Sequence, residues 1–589
     1  MRSPFAVLDF PASRARAGAR TLVFERPLAV LEAATIDAVE PTIREADAHA
    51  AAGRHVVGFV AYEAAPAMDP ALAVRAPARP TGFPLAWFGV FADPSPIAAA
   101  QDEPAPSVAW HHRGDAGDFA HAVESIHDAI GRGDVYQVNH TLRLDVDGVT
   151  DADAVYRRLL AAQGPGYGAR LHTGRFEILS ASPELFIDRR GDELEMRPMK
   201  GTARRGRWLG DDDERALALA ASPKERAENV MIVDLVRNDL GHVAVPGSIR
   251  VPRLFAVERR PTVLQMTSTV TAIARAGCTT WDLFAALFPC GSVTGAPKVA
   301  AMRMIAGLEP DARGVYCGAI GHIAPRGDCT FSVAIRTLTL DHEQRTAGYG
   351  VGSGITWDSA QAAEYDEVVA KADILTHDLP TFELIETLRL SGGHYARLDR
   401  HLSRMAASAA YFGFPGAAAA RAAALQALEA HARMAPHDER VRLRVAADGT
   451  ATVEAEPVPA PFPRPRPVAL ASSPVKRNNR FLFHKTTHRG VYDRHRAERL
   501  GAFDVLLWNE DGELTEFTIG NLVVELDGAR WTPPRACGLL AGVFREELLE
   551  RGEIRERVIR REDLVRATRV WLVNSLREWV EVTFPNLND

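Results

Sequence analysis

The feature that most constrains the fold of this chain is an interruption of the sequence pattern at Asp378-Leu379-Pro380. After it, a strand-like run from Phe382 to Leu390 is followed by a Ser-Gly-Gly turn and a helical pattern from about Asp399 to Phe412, which is how a new domain begins. A Pro-rich join, Pro457 to Pro463, follows further on. With 589 residues the chain is too long for one ordinary domain, and about two to four are expected.

The composition, 47% hydrophobic and 25% charged, is that of a soluble globular protein. A net charge of −7 gives no reason to expect nucleic-acid binding. No apolar run approaches the roughly 18 residues that a membrane span needs, and the N-terminus lacks the long apolar core of a secretion signal. The 5 cysteines form no CxxC pair, which argues against a disulfide framework or a zinc site. A cytoplasmic protein that binds neither membranes nor nucleic acid is therefore expected.

The segment Arg197-Pro198-Met199-Lys200-Gly201-Thr202 is a candidate catalytic element. A strand is predicted from Asp192 to Met199, with Lys200 where that strand gives way to a Gly-containing loop. A lysine becomes a nucleophile when a cramped or cationic site removes its proton. Taken by itself, Lys200 is more simply interpreted as a surface lysine, so the neighbouring motifs decide.

Two predicted helices carry paired glutamates. The first begins with Ser222 as N-cap, Pro223 at the first helical position and Glu225 completing a capping box. The second begins near Ser359 and ends beyond Lys371. Each helix has a Glu-x-x-Glu pair whose members share a helix face; the pairs are Glu225 with Glu228 and Glu364 with Glu367. One pair alone would be ordinary solvated charge, but two such pairs favour a magnesium site, because Mg²⁺ prefers oxygen ligands.

A series of further motifs, in fixed order, resembles the chorismate-utilising enzyme family. The segments are Gly133-Asp134-Val135-Tyr136-Gln137-Val138-Asn139, Ser180-Ala181-Ser182-Pro183-Glu184, Asp234 to Gly241, Gly291 to Lys298, Tyr316 to Gly321, Ala334-Ile335-Arg336-Thr337 and Gly350 to Ile355. The resemblance implies an α+β fold with two packed antiparallel sheets. Residues 1–110 would be its N-terminal part and residues 111–376 its chorismate-binding catalytic domain.

The same resemblance implies roles for individual residues. Glu228 and Glu367 would ligate Mg²⁺, with Glu225 and Glu364 acting directly or through water. Glu184 would be the acid/base near the hydroxyl that leaves. The groups implied to hold substrate carboxylates or line the pocket are Arg336, Tyr316, Lys371, the backbone of Gly352 and Gly354, Thr294 and Thr202.

Three positions distinguish the branches of that family. Gln137 stands where water-using relatives carry a base lysine, so water activation is not expected. Lys200 stands where anthranilate synthases usually have alanine, and it resembles the aminodeoxychorismate synthase branch, in which the lysine adds to the ring. Gln265 departs from a histidine typical of anthranilate synthases, a weaker indication. The chain shows no glutaminase cysteine with a partner His-x-Glu, so a separate glutamine amidotransferase subunit is expected to supply ammonia.

Residues 377–589 resemble the fold-type IV pyridoxal-phosphate (PLP) family, which includes aminotransferases and aminodeoxychorismate lyases. The segments that carry this resemblance are His401-Leu402-Ser403-Arg404, Phe481 to Arg489, Glu513 to Asn521, Gly538 to Arg545 and Asn574-Ser575-Leu576-Arg577. The resemblance implies a two-subdomain α/β domain that forms a homodimer, with Lys485 joined to the cofactor and Glu516 on the pyridine nitrogen. Implied phosphate contacts are Arg404, the backbone of Val543 and Phe544, and Ser575.

Together the two resemblances imply that chorismate and ammonia become 4-amino-4-deoxychorismate. Loss of pyruvate would then give 4-aminobenzoate, a folate precursor. Phe544 replaces the threonine common in aminotransferases, which slightly favours a lyase. Three alternatives remain: an anthranilate synthase with an appended aminotransferase-like domain, a transaminase, and a regulatory protein with inactive sites.

Overall fold

The computed structural model describes residues 3–13, 16–77, 81–95, 108–113, 116–376, 380–414, 416–435, 437–460 and 465–585. Asp378 and Leu379 of the predicted interruption and Pro461 to Pro463 of the Pro-rich join lie outside these residues. The chain divides into two compact units, one of residues 1–204 and 216–379 and the other of residues 205–215 and 380–589. The boundaries at residues 110 and 376 stay predictions.

The first unit is built of antiparallel strands, and helices pack against them to form its apolar clusters. Its strands are β1 Phe5–Ser13, β2 Arg16–Glu25, β3 Ala29–Ala33, β4 His55–Val60, β5 Ala86–Phe91, β6 Ala109–His112, β7 Gln137–Asp147, β8 Tyr167–His172, β9 Phe176–Ser182, β10 Leu185–Arg190, β11 Glu193–Arg197, β12 Met199–Arg204, β13 Arg250–Arg259, β14 Val263–Ile273, β15 Gly295–Ala296, β16 Ala319–Ile323, β17 Cys329–Val333, β18 Thr337–Asp341 and β19 Thr346–Ile355. The helices up to residue 372 are α1 Ile36–Ala51, α2 Ala65–Met68, α3 Ala116–Gly131, α4 Ala152–Gln163, α5 Leu209–Ala221, α6 Pro223–Gly241, α7 Thr280–Leu287, α8 Lys298–Leu308 and α9 Gln361–Ala372.

Two sheets form the core of this unit. The first has the order β15-β7-β19-β18-β9-β8-β1-β2, with β6 also on β7, and the second has the order β12-β14-β11-β10-β17-β16-β4-β5-β3, with β13 also on β14. Leu8 and Ile178 of the first sheet share a buried cluster with Phe59 and Trp87 of the second. The predicted pair of packed antiparallel sheets is therefore confirmed.

Helix α6 begins where the sequence predicts. Ser222 is the N-cap, its side chain accepts a hydrogen bond from the Glu225 amide (3.4 Å), and Pro223 follows it. Of the two bonds in the predicted capping box, this is the one that the described atoms form, so the full box was wrong. The Glu225 carboxylate lies instead beside Gly201, where an added Cβ would be 3.0 Å from its Oε2. The side chain is thus directed towards the strand that carries Lys200.

The second unit contains two separate sheets, each with its own apolar core. Its strands are β20 Leu384–Ser391, β21 His394–Tyr395, β22 Glu439–Val445, β23 Ala451–Pro457, β24 Arg466–Pro467, β25 Ala469–Leu470, β26 Val505–Trp508, β27 Leu514–Phe517, β28 Gly520–Leu526, β29 Ala529–Thr532, β30 Arg555–Glu556, β31 Arg569–Asn574 and β32 Glu578–Thr583. Its remaining helices are α10 Leu398–Phe412, α11 Ala417–Met434, α12 Gly490–Ala497 and α13 Val543–Glu550.

The smaller sheet of the second unit, β21-β20-β22-β23, packs its apolar face against α10 and α11. The larger sheet has the order β24-β32-β31-β28-β27-β26-β25, with β29 on β28 and β30 on β29, and it mixes parallel with antiparallel pairs. This arrangement confirms the predicted two-subdomain α/β architecture. None of the helices in the described parts of the chain combines the length and the apolarity that crossing a membrane requires.

Two candidate active sites

Lys200 lies within a bulged strand, which corrects the predicted loop. In β12, Met199 pairs with Thr267 of β14 and Thr202 pairs with Gln265, so the register shifts between them. Gly201 has φ +96°, a left-handed conformation that glycine adopts without strain. The Asn229 side chain of α6 donates a hydrogen bond to the Lys200 carbonyl (3.2 Å). The bulge redirects Lys200 away from the regular alternation of the strand.

The Lys200 ammonium is held close to a glycine of β19. A Cβ added to Gly354 would lie 2.5 Å from Lys200 Nζ and 2.5 Å from Nε2 of Gln137. The Gln137 amide is fully buried, and among the described residues neither of its polar atoms has a hydrogen-bond partner. Burial lowers the pKa of Lys200. A lowered pKa makes this amine easier to deprotonate, as a nucleophilic lysine requires.

Glu184 lies between β9 and β10 and is buried, with 2% of its surface exposed. Its Oε1 has no hydrogen-bond partner among the described residues. Burial raises the pKa of Glu184 to about 7, although Ser292 and the Lys200 ammonium oppose the shift. A carboxyl group with this pKa can both donate and accept a proton near neutral pH.

The four predicted metal-ligating glutamates belong to α6 and α9. Burial raises the pKa of Glu225 and of Glu228, and the charge of Glu364 on the other helix adds to both shifts. Glu364 also accepts a hydrogen bond from the Ser353 hydroxyl. Glu367 is ion-paired with Lys371 (2.6 Å). The two helices therefore direct their acidic faces towards each other.

These carboxylates suit a magnesium ion by charge and by ligand type. All four are described residues, and no three of them bring one oxygen each within 4.8 Å of one another. Mg²⁺ keeps several waters and commonly takes one or two carboxylates, so an open arrangement fits it better than a closed cage. The donor set is thus compatible with the predicted ion.

The residues predicted to hold substrate carboxylates already have contacts within the protein. Arg336 (φ 53°) donates to the Lys371 carbonyl (2.7 Å), and Lys371 donates to the Gly352 carbonyl (2.8 Å). Tyr316 is 4% exposed, and its ring lies against the backbone of Gly350, where an added Cβ would overlap it. Lys371 thus links Gly352 to Glu367 and to Arg336.

The two predicted pocket threonines differ in exposure. The Thr294 hydroxyl is fully buried and donates to the carbonyls of Cys290 (3.2 Å) and Gly291 (3.3 Å). Thr202 is exposed and donates to the Gln265 side chain (3.2 Å). Thr294 therefore holds the backbone of its own loop. Thr202 contacts Gln265, the residue that departs from the histidine typical of anthranilate synthases.

A cavity of about 420 Å³ marks the second candidate site. It is lined by Lys485, Glu516, Arg404, Val543 and Ser575, five residues predicted to bind the cofactor. Burial lowers the pKa of Lys485 to about 8, with the charge of Arg404 contributing. The Lys485 carbonyl accepts a hydrogen bond from the Ile385 amide (2.9 Å), which fixes the backbone on the β20 side.

Glu516 lines this cavity, is buried and is held by three groups. Its Oε1 accepts hydrogen bonds from the Tyr492 hydroxyl (2.8 Å) and the Leu540 amide (3.2 Å), and its Oε2 accepts one from the Asn521 side chain (3.4 Å). Burial raises its pKa to about 8. A protonated pyridine nitrogen would be a cationic partner for this carboxyl group, so the surroundings fit the predicted cofactor.

The predicted phosphate contacts contain a buried ion pair that the sequence did not reveal. Glu386 of β20 accepts from Arg404 through both oxygens (2.9 and 2.6 Å) and lies 2.7 Å from Nδ1 of His401, whose Nε2 is 2.8 Å from the Ser575 hydroxyl. Burial opposes ionisation, but Arg404 and His401 outweigh it and hold the pKa of Glu386 at about 2. Glu386 therefore orients both Arg404 and, through His401, Ser575.

The two backbone positions at the start of α13 have different side-chain surroundings. Val543 lines the cavity, whereas the Phe544 ring is buried against Trp579 and lies under the Arg397 guanidinium. A contact from Phe544 to a phosphate would therefore use its amide, as predicted. The residue set fits PLP, with Lys485, a carboxyl group and an anion-binding end lining one cavity.

Comparison with known proteins defines the two classes of domain that meet in this chain. Residues 92–377 match the family model described as chorismate binding enzyme, and residues 383–583 match the model described as amino-transferase class IV. The chain thus contains a domain of the chorismate-binding enzyme family followed by a domain of the amino-transferase class IV family.

Among curated proteins, the chain is similar to aminodeoxychorismate synthase component 1 of Klebsiella aerogenes, with 41% identity over 298 residues that cover 50% of this chain and 64% of the relative. The same enzyme component of Bacillus subtilis is 40% identical over 254 residues, 43% of this chain and 54% of the relative. Anthranilate synthase component 1 of Synechocystis sp. is 39% identical over 263 residues, 43% of this chain and 52% of the relative. The matched regions thus span between about half and two thirds of the length of these relatives.

A solved structure supports the fold of the first unit. Anthranilate synthase component I from Streptococcus pneumoniae superposes with a TM-score of 0.52 at 24% identity, covering 64% of this chain and 91% of that chain. At this identity the likeness establishes the fold alone.

Proposed function

We propose that the first unit aminates chorismate at C4 with ammonia to give 4-amino-4-deoxychorismate. The observation that carries this proposal is Lys200 on a bulged strand, with its amine near Gln137 and with a pKa that burial lowers. The similarity to two aminodeoxychorismate synthase components supports the same reaction. Anthranilate synthase is the alternative, favoured by the similarity to such an enzyme from Synechocystis sp..

In this reaction the unprotonated Lys200 Nζ forms a bond to ring C2, the two ring double bonds shift, and the C4–O bond breaks. Glu184 donates a proton to the departing hydroxyl, which leaves as water, and then takes a proton from the lysine nitrogen. Ammonia next forms a bond to C4, the double bonds shift back, and the C2–N bond breaks. The lysine nitrogen recovers its electron pair and the proton held by Glu184.

The remaining residues of the first site would orient the substrate. Glu228 and Glu367, with Glu225 and Glu364 directly or through water, would hold Mg²⁺, which attracts substrate carboxylates. Arg336, Tyr316, Lys371 and the backbone of Gly352 and Gly354 would hold the same groups, and Thr202 and Thr294 would border the ring.

We infer that the second unit releases pyruvate from 4-amino-4-deoxychorismate and so forms 4-aminobenzoate for folate synthesis. When bound, PLP supplies an electron sink for the carbon that carries the amino group. Lys485 would take the proton from C4 and pass it to the departing pyruvate when the C3–O bond breaks. Glu516 would face the pyridine nitrogen; Arg404, Ser575 and the backbone of Val543 and Phe544 would hold the phosphate.

The charges around the second cavity support a substrate with two carboxylates. Besides Lys485 and Arg404, its lining includes five arginines and two acids, Asp493 and Glu516. The arginines are Arg440, Arg442, Arg489, Arg496 and Arg577. Burial and then the charge of Arg440 lower the pKa of Arg577, so these two guanidinium groups are close. An anionic group between them would relieve that repulsion, and 4-amino-4-deoxychorismate carries two such groups.

The proposal includes a separate glutamine amidotransferase subunit that supplies ammonia, because the two similar proteins are each named as component 1 of their synthase. It also includes a cytoplasmic location and a homodimer formed through the second unit. Sedimentation of the purified chain tests the dimer.

Mass spectrometry of the products from chorismate, Mg²⁺, PLP and ammonium tests both halves. We expect 4-aminobenzoate with pyruvate, whereas 4-amino-4-deoxychorismate alone would overturn the second half and anthranilate the first. Lys200→Ala provides the control for the nucleophile. The intact wild-type chain should gain the mass of chorismate less one water, and the same adduct on the variant would refute the role of Lys200.

A further inference from the structure

The second unit includes a short segment, residues 205–215, that is separated along the chain from its other residues by residues 216–379 of the first unit. In sequence this segment lies inside the region matched by the chorismate-binding model. In space it packs with residues 380–589. We call residues 205–208, Arg205-Gly206-Arg207-Trp208, the inserted tetrapeptide.

Polar contacts hold the first part of the inserted tetrapeptide on α10. Arg205 donates to the Tyr411 carbonyl (2.7 Å), and the Tyr411 hydroxyl donates to the Gly206 carbonyl (2.7 Å). The Arg205 guanidinium also lies 4.6 Å from the centre of the Tyr411 ring. A Cβ on Gly206 would come within 2.2 Å of the Asp212 amide nitrogen, so no side chain fits there. The segment is therefore fixed to Tyr411 by reciprocal contacts.

Trp208 anchors the other end of the tetrapeptide. Its ring lies 5.2 Å from that of Phe483 and 4.5 Å below the Arg535 guanidinium. It also packs against the apolar cluster that contains Leu482, Phe483 and Val505. Arg207 adds a hydrogen bond to the Ala536 carbonyl (3.0 Å). An aromatic ring between a phenyl ring and a guanidinium is a favourable arrangement.

His484 connects the tetrapeptide to Lys485, its neighbour in the chain. The His484 ring stacks on Tyr411 with centroids 4.4 Å apart, and its two nitrogens lie 2.9 Å from the Ser408 hydroxyl and 3.1 Å from the Arg207 carbonyl. Burial lowers the pKa of His484 to about 3, so the ring is neutral. Because a carbonyl can only accept, Nε2 carries the proton and Nδ1 accepts from Ser408. One of the two polar contacts of His484 is therefore made by residue 207.

We propose that the inserted tetrapeptide positions Lys485 through His484, so that residues 380–589 by themselves do not form a complete second site. The inference rests on the proposed role of Lys485. The Ile385 amide fixes the Lys485 carbonyl from the β20 side, and His484, the preceding residue in the chain, fixes the backbone on the other side of Lys485. Trp208 and Arg207 are positioning residues in this arrangement, since they reach Lys485 through Phe483 and His484.

The test uses Trp208→Ala in the full chain, with Trp208→Phe as the conservative variant. Leu217→Ala is the matched control, because Leu217 is on the same helix that follows the tetrapeptide and is 71% exposed. The first readout needs no cofactor. An amine-reactive reagent labels Lys485, and mass spectrometry measures the labelling rate at a series of pH values. Because only the unprotonated amine reacts, the pH dependence of this rate reports the protonation of Lys485.

We expect Trp208→Ala to move the labelling midpoint of Lys485 by about half a pH unit or more, which changes the unprotonated fraction about threefold. Trp208→Phe and Leu217→Ala should keep the wild-type midpoint. Labelling that is the same in Trp208→Ala and wild type would overturn the proposal. Amination of chorismate by the first unit, unchanged in all three variants, verifies that the chains are folded.

A second readout separates this proposal from the proposed lyase. The absorbance of bound PLP is titrated with pH in each variant, and its release is followed by dilution. We expect Trp208→Ala to shift the absorbance midpoint and release PLP about tenfold faster than the control. A wild-type chain without a PLP band would refute the proposed lyase, while the labelling result would still decide the role of the tetrapeptide.

Discussion

Lys200 and Lys485, the two lysines with proposed catalytic roles, lie in different surroundings. Lys200 is on a bulged strand beside a glycine and a buried amide, while Lys485 lines a cavity with arginines. In both, burial lowers the pKa of the ammonium group. The sequence indicated both residues through their motifs. The sequence could not predict a role for Glu386, because the ion pairs of this carboxylate form only when the folded chain places Arg404 and His401 of α10 beside it.

Substituting Glu184 by glutamine should slow amination of chorismate by about 10²–10⁴-fold, because an amide cannot pass a proton to the departing hydroxyl. In the wild type the acid is active when protonated, so the rate at constant free ammonia should fall as pH rises above about 7, the raised pKa of Glu184. Initial rates against pH measure both effects.

The matched control for this prediction is Glu63→Gln. Burial also raises the pKa of Glu63 to about 7. Its two carboxylate oxygens, however, accept hydrogen bonds from the backbone amides of Arg313 (2.7 Å) and Gly314 (2.8 Å). The control should keep the alkaline decline in rate. A decline that persists in Glu184→Gln would assign it to another group.

Arg577→Gln should raise the KM for 4-amino-4-deoxychorismate about tenfold, the loss of a charged hydrogen bond to one carboxylate, and leave PLP binding unchanged. Arg566→Gln, at a position with 61% side-chain exposure, is the control. Steady-state kinetics of pyruvate release and titration of the PLP absorbance provide the two measurements. An unchanged KM would remove Arg577 from substrate binding.

At the scale of elements, the sequence predicts those parts of the fold that are determined by residues close together in the chain. Helices α6 and α9 follow from their glutamate spacing and from Ser222, all within a few residues. The strand predicted from Asp192 to Met199 appears as β11 and β12, and the bulge between Met199 and Thr202 arises from pairing with β14, which lies far along the chain. Such register shifts cannot be predicted from a segment by itself, since the partner strand decides them.

The close approach of Lys200 to Gly354 of β19 leads to a further prediction. In Gly354→Ala the new methyl group would lie 2.5 Å from Lys200 Nζ and from Gln137 Nε2, so the lysine must move. We expect amination to fall by about a hundredfold, as a displacement near 1 Å can cause, with little change in Tm. Activity and thermal unfolding are the measurements.

Gly348→Ala on the same strand is the control for the Gly354 prediction, because its nearest atom, Arg143 Nη2, would be at an ordinary 3.5 Å. This variant should keep wild-type activity. Equal loss in both variants would indicate that β19 tolerates no side chain at its glycine positions, and the specific approach to Lys200 would lose its support.

At the scale of the whole molecule, the two units have separate lysines and separate cores. Their chemistry should therefore be separable. Lys485→Ala should accumulate 4-amino-4-deoxychorismate from chorismate and ammonium, and Lys200→Ala should still release pyruvate when given that compound. A mixture of the two variants should form 4-aminobenzoate, because the intermediate can diffuse between molecules.

Product analysis by mass spectrometry measures the outcome of this mixing experiment. The control is Lys476→Ala, a lysine that precedes the Phe481 to Arg489 motif and does not line the cavity. It should behave as the wild type. If Lys485→Ala also failed to aminate chorismate, the two steps would not belong to separate units.

The position of residues 205–215 has a consequence for how such a chain can change over generations. A break in the gene at the obvious join, near residue 379, would leave Trp208 on one product and its neighbours Phe483 and Arg535 on the other. Recombination that exchanged one half would meet the same mismatch. The identities of residues 208 and 483 should therefore drift together in related fused chains, and stand-alone versions of either half should have lost this pairing.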